Sequence, residues 1–361
     1  MAVDLLDLCI SSGSVIRQVI EKINLNGLGI ALVVDEKRVL IGTITDGDVR
    51  RAILAGNDLD SPVDELLKNK ASIYSPKPIT VSPRTERSEM LRLMKEYVIH
   101  QLPVLDDDGR VITLVTMDDL LTEEEQPRLP LQAVVMAGGF GTRLRPLTED
   151  LPKPLLPVGD RPLLERTIEQ LRQAGIRNVS ITTHFMAEKI KQHFGDGNVF
   201  GVDINYVEEI TPLGTAGALG LMDVPKDPLL VINGDILTQV NFRAMLDFHR
   251  QNQAALTVAV RRFEFKVPYG VINSEGPFVT DLSEKPVLNF FVNAGIYLLE
   301  PSVYQYIQSD QRLDMTELIQ ILLNHDKKIA SFPIVEYWLD IGQHTDYEQA
   351  QQDIKDGRFH S

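Results

Sequence analysis

The first 125 residues of the chain repeat themselves, and that repeat restricts the fold more than any single motif. Gly42-Thr43-Ile44-Thr45-Asp46-Gly47-Asp48 aligns with Thr113-Leu114-Val115-Thr116-Met117-Asp118-Asp119, an offset of 116 − 45 = 71 residues. The same offset pairs Val33-Val34-Asp35 with Val104-Leu105-Asp106 without a gap. A fixed offset means that one supersecondary unit is built twice. Each unit reads as helix, apolar strand, acidic turn, apolar strand, then Thr-x-x-Asp opening a short helix. Asp35-Glu36-Lys37-Arg38 and Asp106-Asp107-Asp108-Gly109-Arg110 are the hairpin connectors. A unit of roughly 60 residues is marginal alone, whereas two packed together share a core.

A break follows. Glu123-Glu124-Glu125-Gln126-Pro127-Arg128-Leu129-Pro130 combines three carboxylates with two prolines, poor material for a helix or strand interior. We expect a doubled domain over 1–125, a linker over 126–130 and a second domain over 131–361. From residue 131 the pattern alternates, with apolar strand candidates at 133–136, 179–183, 204–207, 229–232, 255–260 and 291–298. Helical stretches lie between them, as over 162–174, where Leu163, Leu164, Ile168 and Leu171 share a face. Such alternation predicts an α/β domain with a Rossmann-like, mainly parallel sheet, its ligands beyond the carboxyl ends of the strands.

Composition narrows the partners. With 36 Lys+Arg against 51 Asp+Glu the net charge is −15, which argues against nucleic acid. An apolar fraction of 43% over 361 residues fits a globular chain. The single cysteine, Cys9, forms no internal disulfide and no cysteine-based zinc site, in keeping with a reducing cytoplasm. Asp4 and Asp7 interrupt the apolar run a signal peptide needs, and no stretch of 18 apolar residues suggests a membrane span.

The strongest chemical signal is Met136-Ala137-Gly138-Gly139-Phe140-Gly141-Thr142-Arg143-Leu144-Arg145, followed by Leu151-Pro152-Lys153-Pro154. It starts at a strand end, and its glycines let the backbone approach a ligand and aim N–H groups at one spot. Arg143 and Lys153 add a guanidinium fork and a compact ammonium suited to phosphate. Leu144 replaces the third glycine of a dinucleotide fingerprint, and the chain has no Gly-Lys pair for a P-loop. Further on, Val231-Ile232-Asn233-Gly234-Asp235 ends a strand in a carboxylate, and Trp338-Leu339-Asp340 supplies a second. Two carboxylates suffice for a Mg²⁺ that also binds nucleotide phosphates. Thr345 and Glu348 have capping-box spacing for the last helix.

The doubled unit resembles a tandem pair of cystathionine-β-synthase (CBS) domains, a Bateman module, over roughly 8–122. The resemblance implies an adenine nucleotide between the repeats, held by Thr45 and Asp48 and, with Thr113 replacing Gly42, more weakly by Thr116 and Asp119. The same Thr-x-x-Asp spacing is also a capping box, and both readings stand on the sequence. CBS pairs commonly associate, which implies a homo-oligomer.

Gly-Gly-x-Gly-Thr-Arg-Leu…Pro-Lys is similar to the signature of sugar-1-phosphate nucleotidyltransferases, and the likeness runs over nearly all of 131–355. It implies joining of an NTP to a sugar 1-phosphate with release of pyrophosphate. Arg143 would meet the triphosphate, Lys153 the α-phosphate and Lys285 the sugar phosphate, with Asp235 and Asp340 on Mg²⁺. Nucleotide contacts would come from Ala137, Gly138, Gly139, Gly141, Thr142, Leu213, Gly214 and a carboxylate at Glu208 or Glu209; sugar contacts would come from Gly270, Glu284 and Asn293. A glutamate there matches guanine N1–H and N2–H₂ and repels the carbonyls of uracil or thymine. Pro212-Leu213-Gly214-Thr215-Ala216-Gly217 also resembles guanylyltransferases, those acting on mannose 1-phosphate included. GTP is therefore the expected nucleotide, with UTP, dTTP and CTP as alternatives and the sugar open. A non-catalytic nucleotide sensor and a scaffold subunit are the rival classes.

Overall fold

The computed structural model describes residues 5–73, 77–121 and 128–359. The acidic run Glu123-Glu124-Glu125 and the first two residues of the expected linker, Gln126 and Pro127, lie outside these. Leu129, just after them, is buried and donates its N–H to Gly175 O at 3.3 Å.

The first repeat is β1 (Cys9–Ser11), α1 (Ile16–Asn26), β2 (Ile30–Val34), β3 (Leu40–Thr45) and α2 (Asp46–Leu54), with α3 (Val63–Ile73) after it. The second has α4 (Arg87–Tyr97), β4 (Gln101–Leu105), β5 (Val111–Thr116) and a single helical turn, α5 (Met117–Leu120). The offset reappears in the register: Ile10 pairs in parallel with Val33, and Val81 with Val104. The repeats join through an antiparallel bridge between Val39 and Arg110, and Leu8, Ile30 and Leu32 share an apolar cluster with Val111 and Leu114. Each repeat lends the other the core it lacks.

Both Thr-x-x-Asp elements form capping boxes. Thr45 Oγ1 accepts from the Asp48 N–H at 3.3 Å while Asp48 Oδ2 accepts from the Thr45 N–H at 2.9 Å. Thr116 and Asp119 do the same at 3.2 and 2.8 Å. Each box satisfies two free donors at a helix start.

The second domain is built on a seven-stranded sheet. Its strands are β6 (Gln132–Met136), β7 (Asn178–Thr183), β8 (Asp203–Glu208), β9 (Leu229–Asn233), β11 (Leu256–Lys266), β14 (Val287–Leu299) and β15 (Ile329–Ile334), in the order β8-β7-β6-β9-β14-β11-β15. A separate short strand, β10 (Ile236–Thr238), precedes β11. The first four sheet strands are parallel, β14 runs antiparallel to its neighbours β9 and β11, and β15 is parallel to β11. Apolar layers cover both faces. On one, α6 (Leu163–Gln173) buries Leu164, Ile168 and Leu171, beside α8 (Phe242–Asn252); on the other lies α9 (Met315–Asn324). Helix α7 (Ala187–Phe194) follows β7.

The sequence pattern misses β15 and the exposed hairpin β12 (Val271–Glu275) and β13 (Phe278–Ser283). Strand β15 contains Pro333, which an edge strand tolerates. The doubled domain covers that edge: Val335 lies in the apolar core of the first repeat, and Asn24 Nδ2 donates to Val335 O at 3.0 Å. The last helix, α10 (His344–Lys355), follows β16 (Trp338–Asp340) and is capped differently from expectation. Asp346, not Glu348, accepts from the Gln343 N–H at 2.8 Å, because the turn through Gly342 starts the helix before Thr345.

Candidate functional site

The glycine loop leaves β6 beside the carboxyl ends of β7 and β9. Ala137 donates its N–H to Thr182 O at 3.1 Å, and Gly234 donates to Met136 O at 2.9 Å. A methyl on Gly234 would fall 2.7 Å from Met136 O, so only glycine lets β9 come this close to β6. Gly141 has φ +63°, with Thr148 Oγ1 donating to its carbonyl at 2.7 Å. That turn buries Leu144 and leaves Thr142 and Arg143 exposed over the strand ends. Gly139 is exposed as well.

The two expected metal carboxylates meet through strand pairing. Asp235 ends the β9 turn, and β10 pairs antiparallel with β16 so that Ile236 faces Asp340. The Ile341 N–H donates to Asp235 O at 2.9 Å and locks the two strand ends together. Lys153 Nζ donates to Asp235 Oδ2 at 2.6 Å, the lysine side chain 11% and the aspartate 26% exposed. Arg143 completes the cluster: a methyl on Gly342 would lie 3.5 Å from its guanidinium and 3.7 Å from Asp340 Oδ1. Partial desolvation and then the Asp235 charge push the Asp340 carboxyl above its ordinary range, with Lys153 and Arg143 pulling the other way. Two all-oxygen groups that repel each other beside two cations have the chemistry that suits Mg²⁺, which takes one or two carboxylates and completes its shell from phosphate and water.

Of the two candidate glutamates, Glu209 rather than Glu208 faces the glycine loop. Glu208 points away, paired with Lys191 and 63% exposed. The side chains of consecutive strand residues lie on opposite faces, so only one of the two can turn inward. Glu209 Oε2 accepts from the Leu213 N–H at 2.8 Å, and Oε1 lies 2.7 Å from where a methyl on Gly138 would sit. Leu213 is buried, and Gly214, with φ +79°, packs against Leu313 and Asp314. Two buried polar atoms at these strand ends, Thr183 Oγ1 and Asn233 Oδ1, have no hydrogen-bond partner among the described residues. Phe140, 47% exposed, stacks edge-on to His184 with centroids 5.4 Å apart. The sequence reading passed over Phe140, although its place inside the glycine loop marked it.

The expected sugar residues divide. Asn293 belongs to the cleft: its Oδ1 accepts from the Gly295 N–H at 2.9 Å, and Gly295 abuts Asn233. Gly270, Glu284 and Lys285 sit at the exposed root of the hairpin, Gly270 against the Glu284 carboxylate. Lys285 lies eight residues from Asn293, up to about 26 Å along a straight strand.

The Thr-x-x-Asp elements line a second cavity, of about 1060 Å³, between the repeats and the second domain. Asp48 is 7% exposed and already engaged by Thr45, Arg51 and Lys70, the last at 2.8 Å. Burial works against its charge, yet Lys70 and its other partners hold the carboxyl below the usual range. Asp119 is exposed, and its hydrogen bonds among the described residues go to Thr116 alone. Asn241 and Glu336 of the second domain complete the wall.

Comparison with known proteins agrees with this architecture. A nucleotidyl transferase family model matches residues 132–357, and a CBS domain model matches 7–55 and 71–125. A mannose-1-phosphate guanyltransferase of Schizosaccharomyces pombe is 36% identical over 231 residues, 60% of this chain and 62% of that protein. A mannose-1-phosphate guanylyltransferase of Mycobacterium tuberculosis is 32% identical over 236 residues, 63% and 65% of the two chains. This chain thus spans just under two thirds of the length of these relatives. A solved Bacillus anthracis protein described as a glucose-1-phosphate thymidylyltransferase, in complex with a sucrose, aligns with TM-score 0.53 and 26% identity over 64% of this chain and 98% of its own. No described helix is long and apolar enough to cross a membrane. With the family model running from the first strand of the large sheet to the last helix, the chain belongs to the nucleotidyl transferase family and carries a tandem pair of CBS domains ahead of its transferase domain.

Proposed function

We propose that the chain transfers a guanylyl group from GTP to a sugar 1-phosphate, with mannose 1-phosphate the first candidate because the relatives named above act on it. The observation that carries this reading is the cluster of Lys153, Asp235, Asp340 and Arg143 at the strand ends beside the glycine loop. A phosphate oxygen of the sugar attacks the α-phosphorus of GTP in line, the bond to the β-phosphate oxygen breaks, and pyrophosphate carries away the charge. The attacking phosphate is already an anion at neutral pH, so no general base is needed. Catalysis is positioning and charge neutralisation. Arg143 and the loop N–H groups hold the triphosphate, Lys153 meets the α-phosphate, and Lys285 draws the sugar phosphate in. Mg²⁺, when held by Asp235 and Asp340, neutralises phosphate charge. Glu209 selects guanine by accepting from N1–H and N2–H₂.

Two finer parts belong to the same reading. An adenine nucleotide occupies the cavity between the CBS repeats through Thr116 and Asp119, because Asp119 is open while Asp48 is engaged by cations. A second copy covers the apolar ladder of Phe263 opposite Phe290 and Phe265 opposite Leu288, all exposed. A reducing cytoplasm is the compartment, on the single Cys9.

The deciding experiment is a matrix of GTP, UTP, dTTP and CTP against mannose, glucose and glucosamine 1-phosphates, read by pyrophosphate release. The reading expects GTP with mannose 1-phosphate to lead. A lead by UTP or dTTP overturns the base assignment, and no release with any pair favours the sensor reading.

A further inference from the structure

Helix α2 links the two domains through one buried arginine. Arg50 is 3% exposed, and its guanidinium bonds both across that boundary and within its own helix. Its Nε donates to Pro333 O at 3.1 Å, one terminal nitrogen donates to Asp46 at 2.7 Å, and the other donates to Glu336. The ring of Phe332 lies 4.4 Å beneath it. Glu336, 9% exposed, is satisfied from the remaining directions: Oε1 accepts from the Asn241 N–H at 3.2 Å and Oε2 from the Val335 N–H at 3.0 Å. Arg261 fixes the adjoining backbone by donating to Ile334 O at 3.1 Å and Glu336 O at 3.0 Å.

What Glu336 holds is the lead-in to β16. One residue on, Tyr337 O accepts from Thr238 Oγ1 and from the Gln239 N–H, both at 3.0 Å. Then β16 pairs with β10 and delivers Asp340 opposite Ile236, next to Asp235. Three residues, Tyr337, Trp338 and Leu339, separate Glu336 from Asp340, all of them paired or anchored; Trp338 Nε1 donates to Ala294 O at 2.9 Å. A buried charge pair this fully bonded is costly to hold for stability alone, since an apolar pair of similar volume serves as well. Its geometry fixes a strand.

We propose that Arg50 and Glu336 are positioning residues for the Asp235–Asp340 carboxylate pair, set in place by a helix of the CBS module. The proposal rests on the reading of that pair as the metal site. Helix α2 carries Asp48 two residues before Arg50, so the Thr-x-x-Asp element and the clamp on β16 belong to one rigid turn.

The test uses the full chain and its one tryptophan, Trp338, which lies within β16 itself. Arg50→Met keeps the apolar stem over Phe332 and removes the fork; Arg50→Lys keeps the charge. Three readouts are taken: Trp338 emission, Mn²⁺ binding followed by electron paramagnetic resonance with and without GTP, and thermal unfolding. We expect Arg50→Met to shift Trp338 emission and weaken Mn²⁺ binding about tenfold, as lost outer-shell support for metal ligands does, with Arg50→Lys intermediate. Parent emission and parent Mn²⁺ binding in Arg50→Met, with only the unfolding temperature lowered, overturn the proposal. If Arg50→Met does not fold, Glu336→Gln is judged by the same two criteria. Asp235→Asn in the same titration separates the two claims: parent Mn²⁺ binding there defeats the metal-site reading, and Trp338 emission alone then decides whether Arg50 positions β16.

Discussion

Lys153→Met removes the cation paired with Asp235 in the two-carboxylate cluster. The Lys153–Asp235 contact is 2.6 Å long and mostly buried, so it falls between an exposed pair and a fully buried one. Exposed pairs contribute up to about 1 kcal/mol, and breaking a buried pair costs about 3–5, so about 2 kcal/mol is expected here. In a domain of this size that lowers the unfolding temperature by about 4–8 °C. The variant leaves Asp235 and Asp340 with Arg143 alone to offset them, and added Mg²⁺ takes over the neutralisation. At 10 mM Mg²⁺, a dissociation constant of about 1 mM returns about 1.4 kcal/mol. In the parent the same Mg²⁺ competes with Lys153, so the parent gains less.

The assay is thermal unfolding followed by Trp338 fluorescence, in EDTA and in 10 mM MgCl₂ at matched ionic strength. We expect the variant to unfold several degrees lower in EDTA, the gap to narrow in Mg²⁺, and turnover to fall about 10²–10³-fold, as for loss of a preorganised charge at the reacting phosphate. An unchanged unfolding temperature in EDTA, or equal Mg²⁺ gains in parent and variant, refutes the electrostatic reasoning.

Because the folded protein raises the Asp340 carboxyl above its ordinary range, the metal-free chain gains stability from this group as pH falls from neutral into the window just above the usual carboxylate value, and loses it as pH rises. Asp340→Asn should flatten that part of the stability–pH curve, and in the parent half-saturating Mg²⁺ should rise as pH falls through the same window. Glu209→Gln should reduce GTP-over-UTP preference in kcat/KM by about tenfold or more, while Glu208→Gln leaves it unchanged; the substrate matrix reads both. Lys285→Ala should raise KM for the sugar phosphate far more than for GTP, and Arg143→Ala should act on GTP or on kcat.

Much of the fold was legible because each feature was local or periodic. The 71-residue offset survives as register, Val33 on Ile10 and Val104 on Val81. The parallel strands announced themselves as continuous apolar runs, since both faces of that sheet are covered. Strand β15 stayed hidden because Pro333 and Ser331 break its pattern, and the Arg50 that bonds its Pro333 carbonyl comes from a domain more than 200 residues away. Glu208 and Glu209 could not be told apart on paper, because strand parity at the end of β8 decides which turns inward. The Arg50–Glu336 pair is 286 residues apart in sequence, and nothing in either neighbourhood announces the other.

The electrostatics of the site follow from the chain's acidity. With a net charge of −15 the protein repels anionic substrates at long range, so the cations that bind them must be local and held ready. Lys153 meets that need in an unusual way, because its ammonium already has a carboxylate partner in Asp235. A lysine so engaged offers little to a phosphate until its partner is neutralised from elsewhere. The Asp340 carboxyl, raised first by partial burial and then by the Asp235 charge, shows that Lys153 and Arg143 do not fully stabilise the ionised pair. A further cation at these carboxylates would stabilise their ionised forms and release Lys153 toward the α-phosphate in the same event. Metal and nucleotide should therefore bind with positive coupling, and Lys153→Met should weaken that coupling even where each ligand alone still binds. Calorimetric titration of GTP at low and high Mg²⁺, in parent and variant, measures the coupling directly; equal coupling in the two would mean that Lys153 is no part of the exchange.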